Sequence, residues 1–245
     1  LKRNIASVLI NCNEIRFLNL NENGIKSRYY STYQFIKKIE NNSYYIYHIF
    51  NNKKRFQKYI VLFDEVNQLN ISLQVTEKWR IINHNGNECL FSVFPLVGSS
   101  SHVLPFLINS PKFETVTERN ALFLSGQSEI NGQITNTGQN RKLLNESINM
   151  YKNLIKILIE NNCPNLYELS RGLIITQKPY SSFDLDWYEN NFLFKMRKIL
   201  ASNVYVHSNY GRFILLENAV FTTKEIKFDD LQIFIKLAQK YYVNI

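Results

Sequence analysis

Glycine is scarce in this chain, eight residues in 245, and none of the eight stands in the spacing a phosphate loop needs. Neither G-x-G-x-x-G nor G-x-x-x-x-G-K-[ST] occurs, so no backbone is laid open for close approach to a nucleotide. No G-x-S-x-G elbow supports a serine nucleophile. The three cysteines, Cys12, Cys89 and Cys163, are odd in number and far apart. With only His48, His84, His102 and His207 beside them they give no metal-ligand spacing, and they read as buried or half-buried thiols of a reducing compartment. No apolar run approaches the ~20 residues of a membrane span. The opening "LKRNIASVL" has no initiating Met and is too short and polar for a secretory signal, so an excised segment of a cytoplasmic protein is expected.

What is present is globular: 45% apolar and 14% aromatic residues exceed what a disordered chain carries. The charge is uneven. Residues 1–60 hold eleven Lys and Arg against three Glu, a net +8 of the chain's +9. Six tyrosines (Tyr29, Tyr30, Tyr33, Tyr44, Tyr45, Tyr47) interleave with them. A basic, aromatic third of this kind suits a polyanion, with Lys53, Lys54 and Arg55 as candidate contacts; a solvated sheet face explains the same charges without a ligand.

Periodicity divides the chain near residue 125. Up to there, "EIRFLNL", "IKSRYYSTYQFIKKI", "YYIYHIF", "KYIVLFDEV", "LNISLQV" and "CLFSVFPLV" read as strands, separated by polar turns such as "NENG" and "NNKKR". An antiparallel meander is expected. Beyond it, Leu144, Ile148, Tyr151, Ile155 and Leu158 form the stripe of an amphipathic helix over 141–160, stopped before Pro164. Asp186 with Glu189 predicts a second helix start, followed by two short strands around "NYG". A last helix is expected from Asp229. The fold class is therefore α+β: a mostly antiparallel sheet with packed helices over 1–125, then a smaller helix-rich lobe over 126–245. Asp64/Glu65 and Asp229/Asp230 read as strand-end and helix-start carboxylates rather than catalytic pairs. No complete active site is present.

One stretch carries more than pattern. "LFSVFPLVGSSSHVLPFLINSPKFETVTERNALFL" resembles the segment that follows the nucleotide domain in sacsin-like and heat-shock-90-like ATPases of the GHKL superfamily. There an F-x-P-L strand leads through a loop to L-P-F-x-I-N and then to an F-E element bearing an arginine at a helix start. The matching positions are Phe94, Pro95, Leu96, Leu104, Pro105, Phe106, Ile108, Asn109, Phe113, Glu114 and Arg119. The opening twenty residues and "LDWYENNFLFKMRKILASNVYVHS" are similar to the flanks of that segment.

The resemblance implies a transducer, or middle, region. Arg119 would reach the γ-phosphate of ATP held, with Mg, by an upstream domain of the same protein. The loop 98–101 would be a mobile hairpin tip. This chain would hold no cofactor of its own. The implied partners are that upstream domain, a client protein and a second copy of the chain, with no membrane. The alternatives from the residues alone are a basic nucleic-acid-binding module or a structural interaction module, in which Arg119 is a surface arginine paired with Glu114 or Glu118.

Overall fold

The structure, a computed structural model, describes residues 5–12, 15–83, 88–102, 104–170, 182–207 and 213–219. It is α+β, built on a large, curled, mostly antiparallel sheet with a few helices. Two compact units are resolved, Leu1–Arg197 and Lys198–Ile245.

In the first unit, α1 (Ile5–Asn11) precedes five consecutive antiparallel strands: β1 (Phe17–Glu22), β2 (Ile25–Ile39), β3 (Asn42–Asn51), β4 (Lys54–Asp64) and β5 (Leu69–Val75). The turn signals act as expected. Asn23 and Gly24 take φ of 50° and 82°, the pair of left-handed residues that a two-residue hairpin requires. After β5 the meander stops. The strands β6 (Leu90–Ser92), β7 (Phe94–Pro95) and β8 (Leu107–Asn109) close the sheet in the order β5-β8-β6-β7, with β6 and β8 parallel. The "LPFLIN" segment thus lies between two strands, and Leu107, Ile108 and Asn109 are buried. The "CLFSVFPLV" run is two strands rather than one, because the chain bends sharply at Val93, whose φ is +68°.

A small hairpin, β9 (Glu129–Ile130) and β10 (Gln133–Ile134), leads into α2 (Asn136–Glu160). This helix starts five residues earlier than its apolar stripe predicts, because Thr135 caps it: the hydroxyl accepts from Gly138 N at 3.0 Å. All five stripe residues are buried, and the Tyr151 ring stacks on Phe106 at 5.2 Å. The other face of the sheet carries α1, whose Ile5, Leu9 and Ile10 pack with Tyr29, Ile49, Tyr59 and Val61. The strands are therefore covered on one side by α1 and on the other by α2, which explains the near-continuous burial of β4 and β5.

The helix expected to start at Asp186 is capped instead by Asp184, whose carboxylate accepts from Trp187 N at 2.9 Å. It runs as α3 (Leu185–Trp187), a π-helical turn (Tyr188–Leu193) and α4 (Phe194–Ala201). In the second unit, β11 (Tyr205–His207) pairs with β12 (Phe213–Leu215), as the two short strands predict. The helix expected from Asp229 lies outside the described residues. So do Asp229/Asp230 and His84.

Candidate functional site

The stretch that carries the family resemblance is buried over most of its length, with Phe94, Val97 and Arg119 exposed. Leu96, Leu104, Phe106, Phe113, Ala121, Leu122 and Leu124 are all buried. Between Phe113 and Leu124 the chain makes a hairpin-like excursion: Thr115 bridges Leu122, and Val116 N donates to Ala121 O at 3.0 Å. Arg119 closes the turn at its tip through its own N–H to Val116 O at 2.8 Å, and it takes φ +53°. The arginine therefore sits in a left-handed turn and not at a helix start. Its local sequence, Thr117-Glu118-Arg119-Asn120 followed by a buried Ala-Leu, has no apolar period that would wind a helix.

Three side chains fix this tip. Arg119 Nη2 donates to the Ser92 carbonyl at 2.9 Å, so the guanidinium bonds to backbone rather than to Glu114 or Glu118. Ser92 is the residue before the bend, and Val93 N–H donates to Asn109 Oδ1 at 2.9 Å. The asparagine of "LPFLIN" thereby holds the bend whose carbonyl steadies the arginine. The third is Asn140, fully buried on α2. Its Oδ1 accepts from Glu114 N at 2.9 Å, while its Nδ2 donates to Glu114 O at 2.7 Å and Phe123 O at 3.0 Å. One amide thus clips both legs of the excursion to the first turns of α2. Beside it, Arg141 donates to Leu124 O at 2.8 Å and pairs with Asp184 at 2.7 Å, its guanidinium 4.9 Å from the Trp187 ring.

Sequence reasoning missed Asn140, Arg141 and Ser92. Asn140 and Arg141 stand at the polar start of an amphipathic helix, where an Asn and an Arg are unremarkable. Only the fold brings them against residues 114 to 124.

The loop 98–101 is not a mobile hairpin tip. Ser99–His102 form a single 3₁₀ turn, and Ser99 and His102 are wholly buried. Ser99 Oγ accepts from Leu90 N at 3.1 Å, and its carbonyl accepts from the Cys89 thiol at 2.9 Å. Burial pushes that thiol up to about 12. The His102 ring stands edge-on to Phe183 and Tyr188, and burial drives the imidazole down to about 4, so it is neutral. The apolar surroundings of "GSSSH" drew the loop inward once its polar atoms found backbone partners. The three cysteines carry no disulfide: Cys12 and Cys89 are buried and Cys163 is half-buried.

The basic third divides by face. Direct cross-strand partners point to the same side of a sheet. Tyr33, Phe35, Tyr45 and Tyr47 share the side that carries α1, in a cluster of ring contacts 5.2–6.4 Å apart. Tyr44 lies on the α2 side, buried. Among the six tyrosines, only Tyr30 shares an uncovered surface with the cations. Of the three candidate polyanion contacts, Lys53 and Lys54 are exposed at the β3–β4 turn, and Arg55 pairs with Glu77 at 3.0 Å.

Among the described residues no group of three or more His, Cys, Asp or Glu is placed to hold a metal ion, and no helix is long and apolar enough to cross a membrane. Asp64 accepts from Val66 N, Asn67 N and Asn67 Nδ2, which makes it a turn-forming carboxylate. Fold and site together define an α+β protein that presents one anchored arginine and one basic, aromatic sheet surface. Compared with protein-family models, with curated proteins and with solved structures, the chain finds no match.

Proposed function

We propose that this chain is the transducer segment of a GHKL-type ATPase, sacsin-like or heat-shock-90-like, and that Arg119 is the group it offers to the γ-phosphate of ATP held by a preceding domain. The observation that supports this reading is the linkage of the resembling residues to one another. Asn109 holds the Ser92–Val93 bend, the Ser92 carbonyl takes one Nη of Arg119, and Asn140 fastens the excursion to a 25-residue helix. A guanidinium has five donors. With one spent on Ser92, the others remain at an exposed surface, oriented and, among the described residues, not paired with a carboxylate.

Such a group is suited to phosphate. It donates in a planar fork, stays charged at every accessible pH, and stabilises charge that builds on phosphoryl oxygens. The chain supplies no glycine loop to hold the nucleotide and Mg, so these belong to the preceding domain. This chain supplies the arginine and a rigid mount. Closing the two against each other would couple ATP state to the position of α2, about 37 Å long at 1.5 Å per residue. Movement of α2 would then be passed to a client protein.

The test is ATP turnover by the chain joined to its preceding nucleotide-binding domain, wild type beside Arg119→Ala. The expected result is a loss of about 10²-fold in turnover with nucleotide binding retained. Equal turnover in both, or no ATPase preceding the chain, would overturn the reading.

A further inference from the structure

The outer end of the β1–β4 ribbon, on the side away from α1, gathers five of the chain's lysines and arginines on one surface. The registers run Phe17↔Tyr30, Tyr30↔Phe50 and Phe50↔Arg55, so one row crosses four strands, about 14 Å at the usual inter-strand spacing. A parallel row runs Thr32↔His48↔Lys58. Within the first row Tyr30 and Phe50 stack with ring centroids 5.0 Å apart and planes 5° from parallel. The Arg28 guanidinium lies 4.3 Å from the Phe17 ring, and Lys58 Nζ lies 4.1 Å from the Trp79 ring.

The cations are held in place. The β3–β4 turn is tied to β2 by Asn52, which donates from its N–H to Arg28 O at 2.9 Å and accepts from Arg28 N at 2.8 Å. Its Nδ2 also donates to Lys26 O at 3.4 Å. Lys26 and Arg28 are therefore brought beside Lys53, with Arg55 and Lys58 next along the rows, whereas Lys54, opposite Asn51 and so on the side of Tyr29, belongs to the face that carries α1. Among the described residues the carboxylate paired with one of these five cations is Glu77, on Arg55. Five positive groups against one negative are costly to bring together unless an anion offsets them. Lys58 is itself buried, and burial pulls its ammonium down, with Glu77 acting to raise it and Arg55 to lower it.

We infer that this surface binds single-stranded nucleic acid, phosphates on the lysine and arginine side chains and bases on the Phe17–Tyr30–Phe50 row. Rings together with guanidinium planes favour unpaired bases, because a duplex keeps its base faces stacked inside. The inference is independent of the role of Arg119, which lies in a different part of the fold.

The experiment uses the full chain and fluorescein-labelled oligothymidine and oligouridine of about twelve nucleotides, read by anisotropy from low to high salt. Lys26→Glu with Lys53→Glu is expected to weaken binding at least about tenfold at low salt. Loss of two phosphate contacts should also reduce the slope of log K against log salt by about 1.4. Phe50→Leu keeps apolar bulk and removes the ring; it is expected to weaken binding by about tenfold with the slope unchanged. Lys142→Glu with Lys152→Glu makes the same charge change on exposed α2 sites and is expected to stay within about twofold of wild type.

Each variant is checked by circular dichroism, and the lysine pairs lie outside the core, so folding does not confound them. Three results would overturn the inference: no binding at low salt; equal weakening by the α2 pair, which makes the effect one of net charge; or heparin and duplex DNA binding as tightly as single strands with Phe50→Leu without effect, which makes the surface a plain polyanion site.

Discussion

At the scale of the residue, much of the Arg119 region depends on one amide. Asn140 makes three hydrogen bonds to Glu114 and Phe123 backbone atoms from a wholly buried position. Its removal leaves the Glu114 N–H and the Phe123 carbonyl without a partner, while the Glu114 carbonyl keeps the Phe123 N–H at 3.4 Å, and it leaves a hole at a wholly buried position. Asn140→Ala is expected to cost about 3 kcal/mol, read as a lower urea midpoint at unchanged m-value. Asn140→Asp should cost nearly as much, since a carboxylate can accept from Glu114 N but cannot donate to the two carbonyls. Val93 is the companion case. A β-branched residue at φ +68° carries strain of order 1–3 kcal/mol, and it persists because Asn109 and Arg119 hold both sides of its peptide environment.

At the scale of the element, the start of α2 shows how close packing reverses a propensity. Gly138 stands in the helix where alanine would ordinarily stabilise by about 1 kcal/mol. Here a Cβ would meet the Ser128 carbonyl oxygen at 2.0 Å and its carbon at 2.9 Å. The obstruction is backbone, held by Thr135 N–H to Ser128 O at 3.1 Å, so it cannot swing aside as a side chain would. Gly138→Ala is therefore expected to destabilise by about 1–3 kcal/mol, seen as a lower melting temperature in calorimetry. An unchanged or raised melting temperature would show that the β9–β10 hairpin yields freely. Thr135 and Gly138 together set where α2 begins, and so where Asn140 falls relative to the arginine-bearing turn.

At the scale of the whole molecule, acid stability follows from His102. Its imidazole is wholly buried and its value is lowered from 6.5 to about 4 by desolvation, only partly offset by the Ser99 carbonyl. The unfolded chain binds a proton at this histidine near 6.5, and the folded chain does so only near 4. Between those values the unfolded state holds more protons, so stability is full above about pH 6.5 and falls as pH drops towards 4. The loss is about 3 kcal/mol in all. Denaturant unfolding at steps between pH 7 and 4 should trace this decline, and His102→Gln should flatten it. Because the ring packs on Phe183 and Tyr188, the acid-sensitive step joins the turn 99–102 to the π-helical turn beyond Phe183.

From the sequence follow the α+β class, strands β1 to β5 with their turns, the apolar stripe of α2 and the concentration of charge in the first sixty residues. These are local or periodic properties, set by side-chain alternation, turn residues and helix spacing. But "CLFSVFPLV", read as one more meander strand, is two short strands outside the meander. Tertiary structure alone decided the rest. It inserted "LPFLIN" between β5 and β6, because a buried apolar strand needs partners on both edges. It turned Ser99 and His102 into the core, where Ser99 found Leu90. It replaced a helix start at Arg119 by a turn held from Ser92 and Asn140, residues 27 positions before it and 21 after. It also separated most of the tyrosines from the lysines, because strand register, which no composition encodes, assigns neighbours in sequence to opposite faces of a sheet.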